Sequence, residues 1–366
     1  MIYHIYWGTS GNSGLYLDEI YQVLKNRGYK QRVFVNFYYP FNYGDKIFFK
    51  RGDVAMSKYK GAVRKFFQLF EILSGFIKII IVSKRDKPSI INYSHAGQSY
   101  FFIVWFLDIL KRVSNAKLMI TCHDVNPHRG GQNEFSNRKK IFDIANYLLV
   151  HTEKSVEDLE RNFGISQDKI VSHPFPIMDL SKLKNDSINP YKETDFLFIG
   201  HLRKDKGIEF LLETWKEFHQ INKYAKLRIC GRYLPDVHFN QKELEKCNVE
   251  FNLRYIDDND YYHYIKAARY VILPYVQGTN SGIISTVLSL GANVITSDLP
   301  MFTQNSLVAI DNTFIVGDKK SLIDILQKKW SQKINRNKNA LLNYKKEFEH
   351  EVCKVYGTIL SSPSKG

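Results

Sequence analysis

Short apolar runs alternate with longer amphipathic segments along almost the whole chain, and this alternation constrains the fold more than any other feature. Ile2–Trp7 reads as a strand, and Leu15–Asn26 as a helix with Gly28 just past its end. Gln31–Phe37 reads as a second strand; Ser89–Tyr93, Lys117–Cys122 and Tyr147–His151 read as further buried strands. Each is followed by a helical or loop segment, which is the βαβ order of a parallel sheet. Pro174, Pro176 and Pro190 then fall among polar residues, so Pro174–Tyr191 reads as a linker. Alternation restarts with the strand Asp195–Ile199 and the helix Gly207–Ile221. It continues through the strands Leu227–Cys230, Val249–Leu253, Tyr270–Pro274, Asn293–Thr296 and Leu307–Ile310, and Asn335–Leu360 reads as a closing helix. The expected class is α/β, with two Rossmann-like, doubly wound domains at 1–180 and 190–340. A length of 366 residues agrees, since domains typically run about 100–200 residues. Two such domains facing one another would leave a cleft at the carboxyl ends of both sheets, where open α/β sheets bind ligands.

Residues that directly follow strands are therefore the ones to weigh. Gly8-Thr9-Ser10-Gly11-Asn12-Ser13-Gly14 follows the first strand and opens a helix, a context in which free backbone N–H groups can receive an anion. Its spacing is neither that of the dinucleotide fingerprint nor of a Walker A loop. Thr121-Cys122-His123-Asp124 puts a histidine at a strand end, able to hydrogen-bond a hydroxyl or move a proton, with Asp124 placed to orient it. Gly200-His201-Leu202-Arg203-Lys204-Asp205-Lys206-Gly207 is a strand-to-helix loop with three cations. Arg offers a planar fork and Lys a compact charge to phosphate oxygens. Asn280-Ser281-Gly282 opens an apolar helix after Leu273-Pro274-Tyr275 and is a second candidate anion site. Each of these also has an ordinary structural reading, as a tight turn or a solvated basic loop.

The net charge is +15, which favours polyanionic partners: nucleic acid, anionic lipid or phosphorylated small molecules. No helix–turn–helix, RNP, zinc-knuckle or OB pattern is visible, so specific nucleic acid binding is not expected. The cysteines, Cys122, Cys230, Cys247 and Cys353, form no CxxC element and read as reduced thiols. Met1–Gly8 reads as a strand and not a secretory signal. Phe66–Val82 carries Glu71 and Lys78, and Tyr100–Leu110 is short and holds Asp108, so neither is expected to span a bilayer. Between Lys46 and Lys87, however, basic residues outnumber acidic ones and flank an apolar, aromatic segment. That pattern suits an anionic membrane surface, and equally an ordinary core helix with solvated ends.

With these stretches assembled, the second half resembles the retaining, nucleotide-sugar-dependent glycosyltransferases of the GT-B fold, specifically glycosyltransferase family 4. The stretches that carry the likeness are FIGHLRKDKGIEFLL, RICG, YIDDNDYYHYIKAARYVILPY, NSGIISTVLSLGANVITSDLP and FEHEVCKVYGTIL. The first half matches more loosely, through SGLYLDEIYQVLKNRGY and TCHDVNPH. The resemblance implies a GT-B architecture and a catalytic set of His123, Arg203 and Lys206. Arg203 and Lys206 would hold the donor diphosphate, while His123 would face the transferred sugar. The donor-binding set it implies is Gly14, Tyr255, Ile256, Asn280, Ser281, Gly282, Ile283 and Thr286, with Tyr255 and Ile256 meeting the nucleobase through the backbone. The helix at 341–366 would cross back onto the N-terminal domain. Where the family commonly carries two glutamates this chain has Gly278 and Thr286, and Arg269 replaces the usual acidic residue before the VILPY strand.

The implied activity is hexosyl transfer from a UDP- or GDP-sugar to a glycan or a polyprenyl- or glycolipid-linked acceptor in cell-surface polysaccharide biosynthesis. It needs no cofactor and no metal. Asp257-Asp258-Asn259-Asp260 looks metal-like, but reads as an acidic helix start that favours the N-terminal dipole. The expected location is cytoplasmic, peripheral on the inner face of the membrane. The alternatives are a non-catalytic nucleotide-sugar or glycan-binding relative, and another GT-B enzyme such as a phosphorylase or an epimerase.

Overall fold

The structure is a computed structural model that describes residues 1–8, 13–49, 60–95, 101–126, 131–178, 194–278, 283–332 and 338–363. The chain divides into two compact units. One holds Met1–Pro176 with Lys346–Gly366, and the other holds Ile177–Lys345. Of the expected linker, residues 179–193 lie outside the described residues.

The first unit runs β1 (Ile2–Tyr6), α1 (Ser13–Asn26), β2 (Gln31–Asn36), β3 (Asp45–Phe48), α2 (Gly61–Asp86), β4 (Ile90–His95), α3 (Phe101–Ser114), β5 (Lys117–Cys122), α4 (Gly131–Ile144), β6 (Tyr147–Val150), α5 (Glu153–Phe163) and β7 (Ile170–Ser172). All described strand pairs are parallel, in the order β3-β2-β1-β4-β5-β6-β7, so the order reverses between β1 and β4. Parallel strands are covered on both faces, and the central strands β1, β4 and β5 are accordingly buried along almost their whole length, polar His4, Asn92 and Thr121 included. One face packs Phe76 and Ile79 of α2, Phe106 and Leu110 of α3, and Ile141 and Phe142 of α4 against Tyr3, Ile91 and Ile120. The other packs Tyr16, Ile20 and Leu24 of α1 with Phe348, Val352, Tyr356 and Ile359 from the last helix of the chain.

The second unit runs β8 (Thr194–Ile199), α6 (Ile208–Ile221), β9 (Leu227–Cys230), α7 (Gln241–Glu245), β10 (Val249–Asn252), α8 (Asp258–Ala267), β11 (Ala268–Leu273), α9 (Ile283–Ser289), β12 (Asn293–Ser297), α10 (Pro300–Thr303), β13 (Thr313–Phe314) and α11 (Lys319–Ser331). The last helix, α12 (Lys338–Ser361), follows, and its residues from Lys346 onward belong to the first unit. The second sheet is also parallel, in the order β10-β9-β8-β11-β12-β13, and reverses between β8 and β11. Arg269 ties its base together, donating to Asp195 at 2.9 Å and to the carbonyl of Gln332 at 2.6 Å.

Three sequence expectations change. Leu307–Ile310 is not a strand: Asn305 Oδ1 accepts from the Leu307 N–H at 3.0 Å, an Asx turn that breaks extended pairing. The strand comes later, at Thr313–Phe314, paired with β12. Two short edge strands, β3 and β7, were not foreseen; both have mixed polar composition. The apolar segment Phe66–Val82 lies within a single helix, α2, which extends well beyond it at both ends. By length and composition α2 is long and apolar enough to cross a membrane. Its charged positions do not interrupt it, because Glu71 is buried against the protein while Lys78 is exposed. Gly75 permits the close packing of α2 on β3, since a Cβ there would lie 2.5 Å from the Phe48 ring.

Candidate functional site

In the second unit the order reversal brings the loops after β8 and β11 side by side. Arg203 precedes a single 3-10 turn, Lys204–Lys206, and Gly207 then enters α6 with φ of 65°. A Cβ on Gly207 would sit on the carbonyl oxygen of Pro274, just after β11. The Val276 N–H donates to the Asp205 carbonyl at 3.1 Å and completes the junction. Backbone contact thus fixes the cationic loop against the loop that leads to 279–282. Lys206 Nζ lies 3.7 Å from the centre of the Tyr275 ring, a cation–π contact that aligns the ammonium at this loop junction. Arg203 pairs with Asp205. Its Nε is buried with no hydrogen-bond partner among the described residues, so the guanidinium retains donor capacity.

The other expected donor contacts divide. Tyr255 is exposed, and Ile256 packs against the core cluster around Leu273 and Tyr275. Arg254 Nη1 donates to the Tyr255 carbonyl at 3.2 Å and also pairs with Asp260, which fixes the backbone of this stretch. Asn280, Ser281 and Gly282 lie outside the described residues. Ile283 opens α9, and Thr286 is fully buried within it. Asp257 caps α8, its carboxylate accepting from the Asp260 N–H at 3.0 Å, while the Asp260 carboxylate is taken up by Arg254. Among the described residues, no group of three or more His, Cys, Asp or Glu side chains has metal-binding geometry.

In the first unit, His123, His151 and His173 each directly follow one of three successive strands, β5, β6 and β7. Tyr16 of α1 joins them: its ring centre is 4.6 Å from that of His123, edge on, and its hydroxyl lies 3.1 Å from His173 Nε2. The Nδ1 atoms of His151 and His173 face the carbonyls of His173 and Pro174 at 3.1 and 2.7 Å. Carbonyls only accept, so both Nδ1 atoms carry the proton. In the neutral rings Nε2 is then the acceptor, and His173 receives the Tyr16 hydroxyl. Burial pushes His123 and His173 down to about 4 and His151 well below its usual value; neighbouring histidines add to the shift on His151. The same burial raises Tyr16 well above the usual phenol range. His123 is therefore a neutral ring at pH 7.

The loop behind His123 is held by a buried pair. Arg138 donates to the carbonyls of Asp124 and Val125, each at 2.9 Å, and to Glu134 at 3.1 Å. Gly14 is buried at the start of α1, where an added Cβ would come into ordinary contact with Tyr39 and Pro40; residues 9–12 of its loop, like Pro127 and His128, lie outside the described residues. Sequence reasoning singled out His123 but not Tyr16, His151 or His173. The available signal was a histidine at the end of each of three consecutive apolar runs.

Comparison with known proteins bears on the fold and on the second unit. Residues 193–331, within the second unit, match the family model described as glycosyl transferases group 1. An uncharacterized glycosyltransferase of Methanocaldococcus jannaschii is 25% identical over 178 residues, which cover 44% of this chain and 44% of that relative. Among solved structures, Anabaena HepE, in complex with UDP and glucose, aligns over 99% of both chains with a TM-score of 0.57 and 14% identity. The catalytic domain of Arabidopsis thaliana starch synthase IV, bound to ADP and acarbose, aligns over 98% of both with a TM-score of 0.63 and 11% identity. UDP-GlcNAc 2-epimerase of Methanocaldococcus jannaschii aligns over 98% of this chain and 100% of that one, with a TM-score of 0.58 and 16% identity. The fold, two parallel α/β units, is the GT-B fold.

Proposed function

We propose that this protein is a retaining, metal-independent hexosyltransferase. Its donor is a UDP- or GDP-sugar, and its acceptor is a glycan or a polyprenyl- or glycolipid-linked glycan of a cell-surface polysaccharide. The observation that carries the proposal is the cationic turn at the strand-order reversal of the second unit. There Arg203 and Lys206 sit on a loop held backbone to backbone against the loop leading to Ser281 and Gly282, within the segment that matches group 1 glycosyl transferases.

In this reading the donor diphosphate binds at Arg203, Lys206 and the N–H groups of Ser281, Gly282 and Ile283. The Tyr255–Ile256 backbone receives the base. The acceptor hydroxyl attacks the anomeric carbon on the face from which the nucleotide departs. A new C–O glycosidic bond forms, the bond from C1 to the phosphate oxygen breaks, and the hydroxyl proton passes to the departing diphosphate. Charge accumulates on the leaving group, where fixed cations stabilise the transition state more than the ground state. No enzyme carboxylate at nucleophile distance and no metal is required. His123, as a neutral ring, is the first unit's candidate for a hydrogen bond to a sugar hydroxyl, and Gly14 its candidate for the approach of a phosphate. The partner surface is an anionic membrane, with the protein peripheral on its cytoplasmic face.

Thermal-shift screening against UDP, GDP and their sugar conjugates tests the binding half, since a ligand of the native state raises the melting temperature. Slow hydrolysis of the cognate donor without acceptor, lost in Lys206→Ala, tests the chemistry. Phosphate-dependent cleavage or epimerised donor would instead identify a different GT-B enzyme, and binding without hydrolysis a non-catalytic relative.

A further inference from the structure

Helix α2 is apolar on two opposite sides. Ile72, Phe76, Ile79 and Ser83, at spacings i, i+4, i+7 and i+11, face the sheet and are buried. Val63, Phe66, Phe70, Ile77 and Ile81, at i, i+3, i+7, i+14 and i+18, form a stripe on the other side, each between 51% and 66% exposed. The solvent side of a helix in a water-soluble domain is ordinarily polar, and a contiguous apolar stripe of this length marks an interaction surface. The exposed charged residues of α2 are all basic: Arg64, Lys65, Lys78, Lys84 and Arg85. The helix's two acids are withdrawn, Glu71 by burial and Asp86 by bonds to Tyr3, Arg32 and Arg85. Beside it, α3 packs against α2 through Phe106 and Phe76. Its own solvent side presents Trp105, 60% exposed. An exposed tryptophan on the neighbouring helix, together with an apolar stripe and long cations on α2, is the residue pattern of a bilayer interface.

We infer that α2, with Trp105 of α3, is an interfacial membrane-docking face: the helix lies flat in the headgroup region of an anionic bilayer and does not span it. Charge complementarity selects this occupant, because the stripe is bordered by cations and by no exposed carboxylate of its own helix. Spanning is incompatible with the fold, since Ile72, Phe76 and Ile79 would have to leave the core that α2 completes. The inference deepens the partner side of the proposed function but stands on residues that no step of sugar transfer uses. Docking is thereby tested without turnover.

The test is vesicle flotation of the full chain with phosphatidylcholine alone and with added phosphatidylglycerol. The expected result is binding at least tenfold stronger to the anionic vesicles, weakened by salt and reversed by carbonate extraction. Phe70→Glu/Ile81→Glu should abolish it, and Lys65→Gln/Lys78→Gln/Lys84→Gln should remove the preference for anionic lipid. All five positions are exposed, so both variants should keep the wild-type melting temperature and its shift with UDP or GDP. Brominated lipids should quench emission in the wild type but not in Trp105→Phe. Equal binding to both vesicle types, or unchanged binding by the double glutamate variant, would overturn the inference. So would resistance to carbonate, which signifies a spanning helix, or a dimer in solution that Phe70→Glu/Ile81→Glu dissolves, which signifies that a second copy covers the face. Loss of the nucleotide shift in the wild type, with flotation intact, would instead refute the sugar-transfer reading alone.

Discussion

Gly207 meets two demands at once: a left-handed backbone and the touch of the Pro274 carbonyl. Gly207→Ala should therefore cost at least about 2–3 kcal/mol, read as a loss of denaturant midpoint. Gly28→Ala is the control: it has similar φ but open space around it, so it should cost only about 1–2 kcal/mol. A neighbouring residue separates structure from function. Lys206→Ala removes a cation–π contact worth about 0.5–1 kcal/mol, yet should lower donor turnover about 100-fold or more if the ammonium meets the leaving diphosphate. Equal modest losses in stability and rate would assign Lys206 to Tyr275 alone. His123, Arg203 and Lys206 could be picked out as candidates because each stands just after an apolar run, the place where open α/β sheets bind ligands. His151 was hidden by the same rule, since its apolar run reads on into it as strand, and nothing in one dimension shows that Tyr16 gathers three strand ends.

Among elements, α12 is the most consequential. It closes the first unit with Phe348, Val352, Val355, Tyr356 and Ile359, all buried. Tyr356 also accepts a hydrogen bond from Asn92 at 3.1 Å, and Asn92 in turn accepts from Thr121 at 2.8 Å. Burial of each such side chain is worth about 1.5–3 kcal/mol, and five together approach the about 5–15 kcal/mol that holds a domain folded. A chain ending before Lys346 should lose cooperative unfolding of its first unit and bind hydrophobic dye, as seen in calorimetry and dye titration; a truncated form with native melting would contradict this packing. The closing helix and the central strands were legible because period and length agree. The edge strands β3 and β7 were not. They are short and part polar, and their pairing is set by the neighbouring strand, not by their own pattern.

For the whole molecule, His4, His123 and His173 titrate near 4, held down by burial. Their folded pKa values lie below the unfolded value of about 6.5, so the unfolded chain binds more protons between these limits. Stability should fall as pH drops from about 6.5 toward 4, with a slope approaching about 1.4 kcal/mol per pH unit for each ring. Asp86, held near 2 chiefly by Arg85 and Tyr3, acts at lower pH. Melting temperature measured from pH 7 to 4.5 checks the sign, and His173→Asn should flatten the curve. A flat or rising wild-type profile would mean that the rings are solvated. The excess of positive charge was plain in the sequence, but that α2 exposes cations and no carboxylate depends on which of its residues the fold buries.

The most direct measurement is calorimetric titration of UDP and GDP into the wild type, Arg203→Ala and Lys206→Ala. One nucleoside diphosphate should bind the wild type and bind both variants at least tenfold more weakly, while the variants melt within about a degree or two of the wild type. Failure of either nucleotide to bind, or binding unchanged by both substitutions, would contradict a diphosphate site at the β8–α6 turn.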